Sequence, residues 1–168
     1  MRFTASLALG GLAALVVVAT VSAHDHRVPR AALHVNGQRN RLAPWSLSWV
    51  SRSGQGCVGE EADGVPDFRP RADVHLHSTP RIVFRKEQRP RRVRALAAEQ
   101  LEDGYLGDAK RLDVKLRPRQ RGDRRVWVAK LDATVRHRLF VDLHASWRDR
   151  EGCGGPESAS WDFSLRRP

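Results

Sequence analysis

Four histidines fall in two pairs spaced two apart, His24 with His26 and His75 with His77, and that spacing suits a metal ion in two different ways. If His24 is an amino terminus, the free α-amine, two backbone nitrogens and the imidazole of His26 can wrap Cu(II) or Ni(II) in the square plane those ions prefer. The alternative is a polar, solvated tail. His75 and His77, placed on a strand, would project from one face ~6.5–7 Å apart, so both rings could converge on one ion while Val74 and Leu76 turn to the core. The alternative there is two solvent-facing histidines. A terminus folded back onto this pair would add His24 as a further ligand. His34, His137 and His144 stand alone and carry no assignment.

A second chemistry comes from arginine. Between Arg81 and Arg94 lie Arg81, Arg85, Lys86, Arg89, Arg91, Arg92 and Arg94 against Glu87 alone, a net +6. Between Lys110 and Arg125 lie Lys110, Arg111, Lys115, Arg117, Arg119, Arg121, Arg124 and Arg125 against Asp113 and Asp123, again +6. Planar guanidinium groups grip phosphate, sulfate or carboxylate in bidentate fashion, so runs that share a face would bind anions. The alternative is a set of solvated loops and edge strands, where basic residues discourage edge-to-edge aggregation. Nucleic acid is the less favoured anion, because aromatics are few and the chain is expected to leave the cytoplasm. Hydrolytic chemistry finds no motif: there is no Gly-x-Ser-x-Gly, no His-Glu-x-x-His and no phosphate-cradling glycine loop before a helix.

The elements that must position these residues begin with an address. Met1-Arg2, an apolar run from Leu7 to Val21 and the small residues Val21-Ser22-Ala23 have the order of a secretory signal peptide, with cleavage expected after Ala23. The alternative is an uncleaved anchor, since ~17–25 apolar residues can span a membrane; cleavage would leave no stable transmembrane segment. The expected organisation is therefore a signal peptide over 1–23, a polar lead-in over 24–30 and one β-domain over 31–168. Removing Arg2 leaves 29 basic against 19 acidic residues, a net +10. Outside a bacterial cell that charge points to an anionic envelope polymer, glycan or lipid, or to another extracellular protein. In the same oxidising compartment Cys57 and Cys153, both in Gly-rich stretches, read as one disulfide.

Short segments of period-two alternation separated by Gly, Pro and charged turns indicate antiparallel β-structure. Ala31 to Val35 stops at Asn36-Gly37, and Trp45, Leu47 and Trp49 share a face. Val74 to His77 and Arg81 to Lys86 follow, while residues 93–101 suit either a strand or a short helix. Leu112, Val114 and Leu116 face inward, as do Leu139, Val141, Leu143, Ala145 and Trp147, and then Trp161, Phe163 and Leu165 with Asp162, Ser164 and Arg166 outward. Seven to nine such strands without a long helix predict an all-β sandwich, because two amphipathic sheets hide their apolar faces against each other.

The order Pro44-Trp45-Ser46-Leu47-Ser48-Trp49, Cys57, Val74, Pro80-Arg81-Ile82-Val83-Phe84, Arg89-Pro90, Leu139 to Trp147 and Trp161-Asp162-Phe163 resembles the immunoglobulin-like domains of uncharacterised bacterial secreted proteins and lipoproteins. The resemblance covers most of the expected mature chain and implies an immunoglobulin-like antiparallel β-sandwich of about seven to nine strands, without implying an activity. The cysteines depart from the antibody pattern by lying in loops, and Phe140 replaces tyrosine on the penultimate strand. A terminal His24 on such a sandwich is also similar to the histidine brace of copper-dependent polysaccharide monooxygenases, an analogy of fold and first residue. The expected function is a secreted, non-catalytic binding module without a cofactor, its anion-binding residues being Arg81, Arg85, Arg89, Arg91, Arg92, Arg94, Arg117, Arg119, Arg121, Arg124 and Arg125. The alternative is an extracytoplasmic copper protein using His24, His26, His75 and His77.

Overall fold

The structure, a computed structural model, describes residues 29–54, 56–75, 78–149, 152–155 and 157–168. The expected signal peptide, most of the lead-in, His24, His26 and His77 lie outside the described residues. Among the described residues the chain is all-β, with eleven strands in one curled sheet that forms a half-barrel. In chain order these are β1 (Ala31–Val35), β2 (Gln38–Leu42), β3 (Pro44–Ser53), β4 (Gly56–Asp63), β5 (Arg71–Asp73), β6 (Arg81–Phe84), β7 (Arg92–Glu99), β8 (Lys110–Arg121), β9 (Arg124–Asp132), β10 (Arg138–Trp147) and β11 (Glu157–Arg166).

The spatial order is β2-β1-β6-β9-β8-β7-β10-β11-β3-β4, and every pair on that path is antiparallel. The short β5 adds to β11 in parallel beyond the end of β3. β8 is the joint. Its first residues, Lys110 to Leu112, pair with β7, and Asp113 to Arg121 pair with β9. Leu112, Val114 and Leu116 point inward along this strand and pack against the core from both sides of the joint. At β1 and β2 the chain reverses through Asn36 and Gly37, both at positive φ, the backbone that a two-residue hairpin turn requires.

The five-strand half β2-β1-β6-β9-β8 and the half built on β7, β10, β11, β3 and β4 bring their inner faces together. Phe84 of β6 stands 5.6 Å from the Trp161 ring and 5.9 Å from the Trp147 ring. Trp49 lies 5.8 Å from Trp147 in turn. Tilted and edge-to-face aromatic pairs of this kind add about 0.5–1.5 kcal/mol each beyond the area they bury. The inward stripes of β10 and β11 are buried as expected. The connection from β6 to β7 closes one end, where the Trp127 indole donates to the Glu87 carbonyl, Gln88 donates to the Arg148 carbonyl and Lys86 sits 4.0 Å over Trp49.

Several expectations need correction. The strands number eleven, above the expected seven to nine, because β4 is exposed along its whole length, β5 has three residues and β2 is mainly polar; none of the three shows the alternation of a half-buried strand. Of the two readings left open for residues 93–101 the strand is the one found: Arg92–Glu99 is β7, with Val93, Ala95 and Ala97 inward. Cys57 belongs to β4, not to a loop, and joins Cys153 across a separation of 96 residues. Val74 is buried but follows the strand, which ends at Asp73. Trp45 does not share a face with Leu47 and Trp49. A register shift places Ser160 opposite Ser46 and Trp161 opposite Pro44, so Trp45 is the extra residue of a β-bulge and its indole reaches outward to Asp142. Asp162 and Ser164 are likewise not exposed, at 3% and 1%. The segment before β5 crosses them: the Phe68 amide donates to the Asp162 carboxylate, the Ser164 amide to the Pro70 carbonyl, and the Phe68 ring packs 5.0 Å from Phe140.

Candidate functional site

The strand register of the five-strand half assembles its outer face row by row. Leu33, Ile82, Ala129 and Leu116 point inward, so residues one step away point out. One row reads Arg39, His34, Arg81, Lys130, Lys115, and the next Arg41, Ala32, Val83, Val128, Arg117. Beyond them Arg85, whose amide donates to the Arg30 carbonyl, precedes Arg119 opposite Val126 and then Arg121 opposite Arg124. Val83, Val126 and Val128 bury one another as a small apolar cluster on this face. Long basic side chains flank it on every side, an arrangement in which apolar stems cover valines while the charged heads stay in water.

The electrostatics follow from that crowding. The His34 imidazole is held below its ordinary pKa, first because it is partly buried and then because Arg39, Arg121, Arg119 and Arg85 oppose a further positive charge. Arg85 is itself lowered, by burial and by Arg39, Arg121, Arg30 and Arg41. Like charges gathered at this density are unfavourable unless an anion offsets them.

This face contains six of the arginines expected to bind anions: Arg81, Arg85, Arg117, Arg119, Arg121 and Arg124. It also contains Arg30, Arg39 and Arg41, which lie outside both dense runs and were missed. Their signal was Asn36-Gly37, since a tight hairpin there carries β2 alongside β1. The other expected residues go elsewhere. Arg89 lies over the Trp127 ring at 5.7 Å and Arg91 donates its amide to the Ser146 carbonyl, both at the closed end. Arg92 and Arg94 face outward on the opposite half, in register with Ser146 and His144. Arg125 has the inward parity of Trp127 but is exposed near the hairpin tip.

Two hollows border the basic face. One, of about 580 Å³, is lined by Lys115, Arg117, Lys130 and Arg167 against the single carboxylate of Asp132, with the hydroxyls of Ser78, Thr79 and Thr134. His75 lies in its wall and is exposed. Among the described residues no group of three His, Cys, Asp or Glu side chains is placed to hold a metal. The other hollow, of about 790 Å³, lies at the β2 edge and is lined by Arg41, Trp45, Asp67, Arg69, Arg71 and Asp162 with Val65, Pro44 and Pro70.

Behind the second hollow the outer face of the other half is polar. Asp142 stands opposite Asp162 and His144 opposite Ser160, with His144 Nδ1 3.1 Å from the Ser160 hydroxyl. Burial raises the Asp142 pKa and the nearby Asp162 adds to the rise, while the Trp45 indole N–H, 3.3 Å away, and His144 oppose it. Comparison with protein-family models, with curated proteins and with solved structures returns no match for this chain, so the reading of its surface rests on the geometry above.

Proposed function

We propose that the protein is a secreted, non-catalytic binding module whose outer arginine face holds an anionic polymer of the cell envelope or its surroundings. The observation that carries this reading is the register of β2, β1, β6, β9 and β8, which sets arginines from both basic runs and from the first hairpin on one surface. The disulfide between Cys57 and Cys153 supports an extracytoplasmic setting. The two facing halves are read as a variant of the immunoglobulin-like sandwich, extended by β2, β4 and β5. Guanidinium groups suit the role because each offers a planar fork of donors to carboxylate, sulfate or phosphate.

Binding of inorganic polyphosphate and of a uronate polymer, measured by calorimetry across a salt series, tests this. Affinity should fall steeply with salt, since exposed charges are screened within about 8 Å at physiological ionic strength. Reversing Arg39, Arg117 and Arg119 together to glutamate should weaken binding roughly a hundredfold, at about 1 kcal/mol for each lost contact. Reversing Arg92 and Arg94, on the other half, should leave it within about twofold. No binding to either polymer, or equal losses from the two sets, would overturn the proposal.

A further inference from the structure

The hollow at the β2 edge has a chemistry different from the face it borders. The basic face offers almost only donors. The hollow combines three guanidinium groups, of Arg41, Arg69 and Arg71, with the carboxylates of Asp67 and Asp162 and the half-exposed indole of Trp45. A phosphate chain has no hydroxyl hydrogens to give the exposed Asp67 carboxylate and would be repelled by it. A sugar acid suits the hollow: its hydroxyls donate to the exposed Asp67, its carboxylate takes a guanidinium fork, and its C–H face packs on the indole and on Pro44 or Pro70. Trp45 is presented there by the bulge in β3, and its ring is steadied from behind by the bond from its N–H to Asp142.

Arg41 belongs to both surfaces. It lines the hollow and also begins the outward row Arg41, Ala32, Val83, Val128, Arg117, which ends beside the other hollow. Four strand spacings of about 4.8 Å give this row a length of roughly 19 Å. It is a row with a guanidinium at each end and three buried apolar residues between, beneath the long basic side chains that flank them.

Resting on the anion-binding reading, we infer that the anion is an acidic polysaccharide, which crosses the five strands along this row and places a terminal sugar acid in the hollow against Trp45. The polymer's carboxylates alternate toward the arginines whose stems cover the buried Ala32, Val83 and Val128.

The test compares a galacturonate oligomer with inorganic polyphosphate of equal charge count, each titrated into the intact secreted protein. The native chain should favour the uronate by at least about tenfold. Trp45→Ala, and separately the double change R69Q/R71Q at exposed positions, should erase that margin while polyphosphate affinity stays within about twofold. Near-UV circular dichroism reports whether W45A keeps its fold, and R69Q/R71Q decides the matter if it does not. Equal affinities in the native chain, or a uronate preference that survives the folded variants, would refute the polysaccharide assignment and leave the anion reading standing. Failure of both probes to bind would remove both.

Discussion

Outward from β1 and β6, His34 faces Arg81 in register; outward from β10 and β11, Asp142 faces Asp162 and His144 faces Ser160. Both surfaces are made by the same device, a strand whose alternate residues are buried in one shared core. They differ in how their polar groups are satisfied. On the second half donors and acceptors meet one another: Trp45 with Asp142, Phe68 with Asp162, His144 with Ser160. On the first half the register sets cation beside cation, and burial first, then that crowding, lowers the pKa values of His34 and Arg85. A surface that completes its own hydrogen bonds is a scaffold. One that gathers cations with few neighbouring carboxylates is where the proposed anion would bind.

The largest way to break the comparison is to remove what both halves stand on. Trp161 is wholly buried and touches Phe84 from the first half and Trp147 from the second. Trp161→Ala should cost about 3–5 kcal/mol, as other large-to-small core changes do. Chemical denaturation should remain a single transition for the native chain and the variant alike. Two separated transitions would show that the halves fold independently and that their outer faces cannot be compared as parts of one body.

A smaller change should separate the faces. Asp162→Ala removes the acceptor of the Phe68 amide beneath the crossing segment. An unmet buried donor costs about 1–3 kcal/mol, so stability should drop by that amount while polyphosphate binding at the arginine face is kept. Loss of polyphosphate binding in a folded D162A would mean that the two surfaces are coupled.

The same contrast explains what could be read from the chain alone. The stripe Leu139, Val141, Leu143, Ala145, Trp147 announces an inward face because its period is uninterrupted and both of its neighbours are strands. β4 announces nothing: Gly56-Cys57-Val58-Gly59-Glu60-Glu61-Ala62-Asp63 has no alternation, and its pairing is dictated by β3. Trp45 was misplaced because a bulge changes parity without leaving a mark in composition. Asp162 and Ser164 were placed in solvent because the segment covering them lies more than ninety residues earlier in the chain. Arginine density was visible, but which arginines share a face depends on neighbours in space, and density therefore joined Arg85 to Arg92 although the fold puts them on opposite sides.

The finest distinction concerns the two shifted groups, and it works through the cause of each shift. His34 is lowered, so the unfolded chain takes up its proton first and stability falls as the pH drops below about 6.5. Asp142 is raised, so the folded chain holds its proton longer and stability falls as the pH climbs above 3.8 toward the raised value. Salt should tell them apart. At 1 M the screening length shrinks to about 3 Å, which removes the arginine contribution at His34 but not the burial that is its first cause. An NMR titration should therefore show His34 moving part of the way back toward 6.5 in high salt, with Asp142, governed mainly by burial, nearly still. Polyphosphate at low salt should move His34 in the same direction, because a bound anion offsets the charge of Arg39, Arg85, Arg119 and Arg121. If Asp142 moved as far as His34, or if His34 ignored both salt and polyphosphate, the crowding of cations around His34 would not be what sets the first face apart from the second.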